Sequence, residues 1–159
     1  MNTLIAYGTK YGCAKNCATE LSKELNDNVD IVNLKENNKI DLEKYGRVII
    51  GGSVYIGKIQ KEVTEFINLN LNDLTKKEIG LFICGMQEGD VIEKEIVDNF
   101  PQELLSKAKS VKHFGGEFVF KKMNFMEKTI VKKIVKVSSD MSDIHRDNIK
   151  SMAVELNSL

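Results

Sequence analysis

The fold of this chain is decided by the stretch Tyr7-Gly8-Thr9-Lys10-Tyr11-Gly12-Cys13-Ala14, which follows the apolar run Leu4-Ile5-Ala6. Apolar residues then recur at helical spacing as far as Leu25. This order predicts a strand, a tight loop and a helix. Such a loop directs backbone N–H groups and the positive end of a helix at one point, which suits a phosphate. We therefore predict an anion site here, with the alternative that the glycines only form a short turn.

Three common classes of phosphate site differ from this loop. A P-loop NTPase has Lys-Ser or Lys-Thr after its last glycine, whereas Gly12 is followed by Cys13. A dinucleotide-binding loop has G-x-G-x-x-G spacing and an acid after the second strand, where this chain has Asn33. A receiver domain needs an aspartate after the third strand, which here ends in Gly51-Gly52-Ser53. A phosphate that only anchors a ligand remains, which fits a mononucleotide cofactor.

Length and composition favour one domain over residues 1–159. No apolar run reaches the ~18 residues of a membrane span, and the first residues lack the pattern of a secretory signal. The three cysteines are odd in number, which suits a reducing compartment. We therefore expect a cytoplasmic protein. Acidic and basic residues balance at 23 each, so net charge gives no reason to expect a nucleic-acid partner.

Apolar runs and helical periodicity alternate along the chain, which predicts an α/β fold with a parallel sheet and helices on both faces. We predict strands at residues 4–7, 29–32, 47–51, 79–84 and 111–120. Pro101 should interrupt the fourth helical segment near Asn99. Gly115-Gly116 should mark a bulge or a close backbone approach in the last strand. A terminal helix is expected over 143–156, with Ser142 as its N-cap.

In an open parallel sheet, ligands bind beyond the carboxyl ends of the strands. Three loops should therefore meet: the first loop (residues 8–13), the second loop (51–59) and the third loop (85–90).

The first loop resembles the T-x-T-G-x-T phosphate loop of flavodoxins, with Thr9 and Gly12 matching, Tyr11 at the second hydroxyl position and Ala14 replacing the last threonine. The glycine-containing second loop resembles the flavodoxin segment that covers one face of a flavin. This resemblance implies a doubly wound, five-stranded parallel sheet of order 2-1-3-4-5 and FMN as the cofactor. The implied cofactor-binding residues are Thr9, Lys10, Tyr11, Gly12, Cys13 and Ala14; Ser53, Val54, Tyr55, Ile56 and Gly57; and Gly85, Met86, Gln87 and Gly89.

Three segments are most similar to the flavodoxin-domain family that includes menaquinone-dependent protoporphyrinogen IX dehydrogenases. They are Gly52-Ser53-Val54-Tyr55-Ile56-Gly57, residues 114–128, and residues 138–143. The family implies an FMN-dependent oxidoreductase that passes electrons from a reduced porphyrin ring to a quinone. With a bound flavin, no side chain needs to act as a general base, and we assign no catalytic residue.

The lysine-rich run at 121–137 has two interpretations. Lys121, Lys122, Met123 and Phe125 could contact a porphyrin or quinone, and the basic amphipathic helix that follows could rest on an anionic membrane surface. The alternative is that this helix packs on the sheet as its fifth helix and that its lysines are solvated. For the helix we favour packing; for 121–126 both interpretations stay open.

Cys13 and Cys17 should share a helix face, and Cys13 at the helix start could have a lowered pKa. We expect no third cysteine, histidine or aspartate nearby and therefore predict packing and no metal. His113 and His145 are expected to be isolated, at a strand and at a helix start.

Three functions stay open at this point. The first is an FMN oxidoreductase acting on a bulky substrate, a quinone or porphyrin, with peripheral contact at the inner membrane face as an option. The second is a flavodoxin-type electron carrier that docks on a redox partner; the balanced charge weakly disfavours it, because carriers usually present an acidic face. The third is a flavin-free interaction module. The oligomeric state is not predicted.

Overall fold

Strands and helices alternate along the part of the chain that the computed structural model describes, residues 1–118, 122–135 and 141–158. The strands are β1 (Asn2–Gly8), β2 (Asn28–Asn33), β3 (Arg47–Tyr55), β4 (Lys58–Ile59), β5 (Glu78–Cys84), β6 (Ala108–His113), β7 (Gly115–Phe118) and β8 (Met141–Ile144). The helices are α1 (Cys13–Glu24), α2 (Lys61–Leu74), α3 (Asp90–Asn99), α4 (Gln102–Leu105), α5 (Phe125–Val135) and α6 (Arg146–Asn157), with a 3₁₀ turn at Leu42–Lys44.

The central sheet has the strand order β2-β1-β3-β5-β6, and these five strands are parallel. The predicted order 2-1-3-4-5 is therefore confirmed, with β2 at one edge as its short, acid-containing sequence indicates. The short strand β4 pairs antiparallel with the end of β3. Register brings the strand ends together, since Gly8 pairs with Gly52 and Ser53 pairs with Cys84.

Alternate residues of the strands enter two cores, one on each face of the sheet. Leu4, Val48 and Leu81 pack with side chains of α2, α3 and α4 on one face. Ile5 and Ile49 pack on the other face with side chains of α1 and α6. Strands buried on both faces need continuous apolar sequence, which explains the runs in β3 and β5.

The last predicted strand, 111–120, is wrong as a single element. The structure divides it into β6 and β7, and β7 pairs antiparallel with β8 outside the central sheet. The predicted close approach at Gly115 is confirmed, because a Cβ there would lie 1.9 Å from the carbonyl oxygen of Asp143 and φ is +80°. The predicted N-cap at Ser142 is wrong, because Ser142 lies in β8 and His145 occupies the N-cap position of α6.

Helix positions account for two further outcomes. The break at Pro101 is confirmed, since α3 ends at Asn99 and α4 begins at Gln102. The expectation that the lysine-rich helix packs on the sheet is wrong, because α6 fills that face while Ile130 of α5 lines a cleft at the sheet edge. Lys121, Lys136 and Val137 lie outside the described residues. In the described ranges, no helix has the length and apolar character needed to cross a bilayer.

Candidate functional site

A cleft opens beyond the carboxyl ends of β1, β3 and β5, where the first, second and third loops meet as predicted. It holds about 770 Å³ of space, including its open mouth. Residues of all three loops line it, together with side chains of α3, α5 and β7. The lining residues are Lys10, Tyr11, Cys13, Ser53, Val54, Tyr55, Ile56, Gly57, Cys84, Gly85, Met86, Gln87, Glu95, Gly116, Glu117 and Ile130.

The first loop presents the N-terminus of α1 to one end of the cleft. The hydroxyl oxygen of Thr9 accepts a hydrogen bond from the backbone N–H of Gly12 at 2.9 Å, which fixes the turn. Gly12 has φ +99°, a conformation that favours glycine. α1 begins at Cys13 without a side-chain cap and without an acid in its first turn. Its first N–H groups and its dipole are therefore available to an anion.

Two lysines surround this helix end. The Nζ of Lys122 donates to the carbonyl oxygen of Tyr11 at 3.0 Å and lies 3.4 Å from the point where a Cβ on Gly12 would stand. The Nζ of Lys10 lies 4.4 Å from the centroid of the Tyr55 ring, in cation–π contact. Positive charge thus gathers at the same end of the cleft as the free amides.

α5 places one carboxylate against this positive end. Glu127 pairs with Lys10 at 3.1 Å and accepts a hydrogen bond from the hydroxyl of Tyr11. These bonds, the one from Tyr11 first, lower the pKa of Glu127. Burial and the neighbouring carboxylate raise the pKa of Tyr11, so the phenol stays protonated and donates. Glu127 is therefore an anion of the chain itself, and it already pairs with Lys10, the cation of the first loop.

The second loop is a tight hairpin between β3 and β4. Tyr55 pairs with Lys58, and the two residues between them have positive φ, +50° for Ile56 and +76° for Gly57. Two consecutive positive values match a type I′ turn, which suits glycine but strains isoleucine. The side chain of Asn99 holds the turn, because its Nδ2 donates to the carbonyl oxygen of Gly57 at 3.0 Å.

The third loop is held from the side of β6 and β7. The N–H of Gly85 donates to the carbonyl oxygen of Gly115 at 2.8 Å, so this backbone donor is already engaged. The Nε2 of His113 lies 2.7 Å from the carbonyl oxygen of Gly85. Burial lowers the pKa of His113, which keeps the ring neutral and makes Nε2–H the donor in this bond. Met86 and Gln87 remain as side chains that face the cleft.

Glu95 is a cleft residue that sequence reasoning missed. Its side chain lies on α3, lines the cleft and is only 6% exposed. Its Oε2 has no hydrogen-bond partner among the described residues. Burial raises its pKa, because removal from water disfavours the charged form. Glu95 thus places a buried carboxyl group with a raised pKa at the cleft wall.

A family model described as Flavodoxin domain matches residues 4–145. The chain belongs to the flavodoxin-domain family. One curated relative, the protoporphyrinogen IX dehydrogenase (quinone) of Leishmania major, is 20% identical over an alignment of 149 residues that covers 88% of this chain and 64% of that protein. This flavodoxin-domain chain therefore spans less than two thirds of that relative's length.

Solved flavodoxins share the fold over nearly all of both chains. Oxidised flavodoxin 1 from Bacillus cereus matches with a TM-score of 0.62 at 12% identity, covering 100% of this chain and 99% of the other. A Fusobacterium nucleatum flavodoxin bound to flavin mononucleotide matches with a TM-score of 0.59 at 16% identity, covering 98% and 96%. At such identities the likeness concerns the fold, and it agrees with the observed strand order.

The predicted cofactor residues of this flavodoxin-domain chain fall into two groups. Most of them line the cleft; Thr9, Gly12, Ala14 and Gly89 lie outside its lining. Thr9 and Gly12 shape the first loop instead, Ala14 is buried in the α1 core, and Gly89 precedes α3 with φ +70°.

The predicted substrate residues separate in the structure. Lys122 lies at the first loop, where its charge faces the anion site. Met123 is buried, whereas Phe125 is 85% exposed at the start of α5. Lys121 lies outside the described residues. The segment therefore contributes a cation to the first loop and an exposed aromatic side chain to the start of α5.

Two expectations about isolated groups are wrong. Cys84, at the end of β5, joins Cys13 and Cys17, and the three sulfur atoms lie within 4.8 Å of one another. The rings of His113 and His145 also meet, with centroids 5.0 Å apart. Their positions at a strand and at a helix start agree with the sequence analysis. The parallel register brings these distant residues to the same end of the sheet.

Proposed function

We propose that this chain binds FMN in the cleft and acts as an FMN-dependent oxidoreductase that takes electrons from a porphyrinogen-type substrate and passes them to a quinone. The observation that carries the proposal is the meeting of an apolar cleft with an uncapped, lysine-flanked helix N-terminus. A phosphate monoester attached to a flat aromatic ring system needs both features at one site. The family and the Leishmania major relative support the same assignment.

The residues present fit FMN at both ends of the cleft. The N–H groups of the first turn of α1, with Lys122, would hold the phosphate. Val54, Tyr55 and Met86 would cover the ring and exclude water, and Tyr55 can stack with an aromatic face. Gln87 can donate to a ring carbonyl. When bound, FMN supplies the two-electron acceptor for the reaction.

Two side chains of α3, Glu95 and Asn99, have separate roles in this proposal. Glu95 presents a buried Oε2 that has no hydrogen-bond partner among the described residues, and burial raises the pKa of this carboxyl group. Asn99 positions the second loop through its bond to Gly57, and it also donates to the carbonyl oxygen of Glu95 at 2.7 Å. Asn99 is therefore a positioning residue that couples the turn to the helix that carries the acid.

A docking place for an apolar substrate lies beside the cleft. Phe125 and Met126 are 85% and 71% exposed, and they precede Glu127, which reaches the first loop. Exposed aromatic and methionine side chains suit contact with a macrocycle or a quinone. We infer that substrate approaches the ring along the start of α5.

The second candidate is a flavodoxin-type electron carrier. The observation that favours it is the near-complete mutual coverage with solved flavodoxins, 100% and 99% for the Bacillus cereus protein. A carrier would exchange electrons with protein partners and would not need a macrocycle site.

Anaerobic turnover separates the two candidates. FMN-loaded protein is mixed with a porphyrinogen and a quinone, and porphyrin formation is followed by its fluorescence. We expect catalytic turnover that falls at least tenfold in Phe125→Ser/Met126→Ser, with unchanged FMN affinity. Leu69→Ser, an exposed apolar residue on α2, is the control and should leave turnover unchanged. Fast reduction by a ferredoxin-type donor without porphyrin turnover would contradict the enzyme and favour the carrier.

A further inference from the structure

The cysteines of this chain form one buried cluster beside the cleft. Cys13 and Cys17 lie one turn apart on α1, and Cys84 ends β5. All three are buried, and their sulfur atoms lie within 4.8 Å of one another. Because the chain has three cysteines in all, the cluster contains every thiol it has. Packing alone would not require three sulfurs from two elements to converge.

The spacing of the sulfur atoms matches a metal-binding geometry. A cation held ~2.3 Å from each of three sulfurs in one plane places those sulfurs about 4 Å apart. The three sulfurs are at most 4.8 Å apart, so a small movement of the side chains would bring them to this spacing. A site with three sulfur ligands suits a soft cation, because thiolates select such ions, whereas structural zinc takes four ligands.

The surroundings also favour an anionic sulfur and an entry path. Cys13 is the first residue of α1, where the helix dipole stabilises negative charge. Cys13 and Cys84 both line the cleft, so an ion can reach them from solvent.

We propose that Cys13, Cys17 and Cys84 bind one Cu(I) ion in three-coordinate geometry beside the cleft. Binding exchanges the remaining thiol protons for the metal, and no electron is transferred. Affinity should therefore rise with pH. The site does not depend on FMN, so its failure would leave the proposed function standing.

The test uses reduced, full-length protein, free of FMN and loaded with FMN, under anaerobic conditions. Cu(I) is supplied as its acetonitrile complex and competed against a chromophoric Cu(I) chelator. We expect one ion per chain and a loss of affinity of at least 100-fold in each of Cys13→Ser, Cys17→Ser and Cys84→Ser. Asn16→Ser, an exposed position between the two helix cysteines, is the matched control and should bind as the parent does.

X-ray absorption spectroscopy at the copper edge of the copper-loaded parent tests the geometry without any variant that could misfold. Three sulfur neighbours are expected, whereas two would overturn the three-coordinate site. Unchanged Cu(I) affinity in Cys84→Ser would also overturn it. So would a reduced protein that takes no Cu(I) from the chelator at any pH. A protein that forms a disulfide within the cluster on mild oxidation and shows no Cu(I) affinity when reduced would instead assign the thiols to redox chemistry.

Discussion

Ile56 combines a β-branched side chain with a left-handed backbone, φ +50°, at the tip of the second loop. Such a conformation costs of order 1–3 kcal/mol, and it persists at sites where the surrounding structure or function requires it. Ile56 lines the cleft, so the strained residue is also a wall of the proposed ring site. Ile56 therefore lowers the stability of the second loop and supplies an apolar contact at the cleft.

Ile56→Asn should raise the free energy of unfolding by about 1 kcal/mol, because Asn-Gly is the preferred pair in a type I′ turn. FMN affinity should fall in the same variant, since an apolar wall is lost. Chemical denaturation and FMN titration measure the two effects. Leu69→Asn, an exposed apolar residue on α2, is the control and should lower stability slightly. A less stable Ile56→Asn protein would show that the backbone strain is not relieved.

Glu95→Gln should change how stability depends on pH. The folded pKa of Glu95 is raised, so the folded state holds its proton after the unfolded chain has released it. Stability from this residue is therefore present below the ordinary glutamate pKa of about 4.3 and is lost as pH rises through the folded pKa.

The glutamine variant should thus match the parent near pH 4 and exceed it at pH 7 to 8, by about 1.4 kcal/mol for each pKa unit of elevation. Urea unfolding at several pH values gives the comparison. Glu117→Gln, which changes another cleft carboxyl, is the control, and equal pH profiles for Glu95→Gln and the parent would contradict the burial argument.

At the scale of elements, α5 lies against the first loop through the contacts of Glu127 with Lys10 and Tyr11. This carboxylate neutralises Lys10 and so lowers the positive charge that a phosphate would meet at this end of the cleft. Glu127→Gln should therefore tighten FMN binding by about tenfold, which corresponds to ~1.4 kcal/mol. Riboflavin, which lacks the phosphate, serves as the internal control and should bind both proteins equally. A variant that binds FMN more weakly would instead show that Glu127 holds the loop in its binding form.

The strands β1, β3 and β5 were predictable because each contains a continuous apolar run, and the loops that follow them meet by the geometry of a parallel sheet. β7 and β8 were not. Their pairing joins Glu117 to Ser142 across 25 residues, and each strand has four residues, too few for a clear period. Ser142 therefore looked like a helix cap from local sequence alone.

The site was predictable where it depends on loops and unpredictable where it depends on burial. Glu95 lies in a charged stretch of α3, and nothing local indicates that one of its acids faces inward. Cys84 could have been placed at the same edge of the sheet as Cys13, because Cys84 ends β5 and Cys13 follows the loop after β1. Which residues bind a ligand stays a prediction, as does the single domain over 1–159. FMN as cofactor is supported by the flavodoxin-domain family to which the chain belongs.

At the scale of the whole molecule, Arg47 joins several distant segments beneath the sheet. The buried guanidinium contacts Asp27, pairs with Glu78 at 3.2 Å, and donates to the carbonyl oxygen of Leu156 at the end of α6. Its partners thus come from the loop before β2, from the start of β5 and from the last helix. Arg47 therefore joins these three segments at the start of β3.

Arg47→Met should lower the free energy of unfolding by about 3 kcal/mol, because it removes the cation that pairs with Asp27 and leaves Glu78 with Lys109 alone. The matched control is Arg146→Met, which changes the other arginine of the chain, paired with Glu20 at the surface, and should cost under about 1 kcal/mol. Denaturant unfolding of both proteins gives the difference. Equal losses in the two variants would contradict the structural role of Arg47.

The central claim is that the N-terminus of α1 binds the phosphate of a flavin that the second and third loops enclose. Parallel titrations of ligand-free protein with FMN and riboflavin, read by quenching of flavin fluorescence, test it most directly. We predict one FMN per chain and at least tenfold weaker riboflavin binding, since charge-assisted hydrogen bonds contribute ~1.5–3 kcal/mol each. Equal affinity for the two ligands, or no binding of either, would contradict the claim.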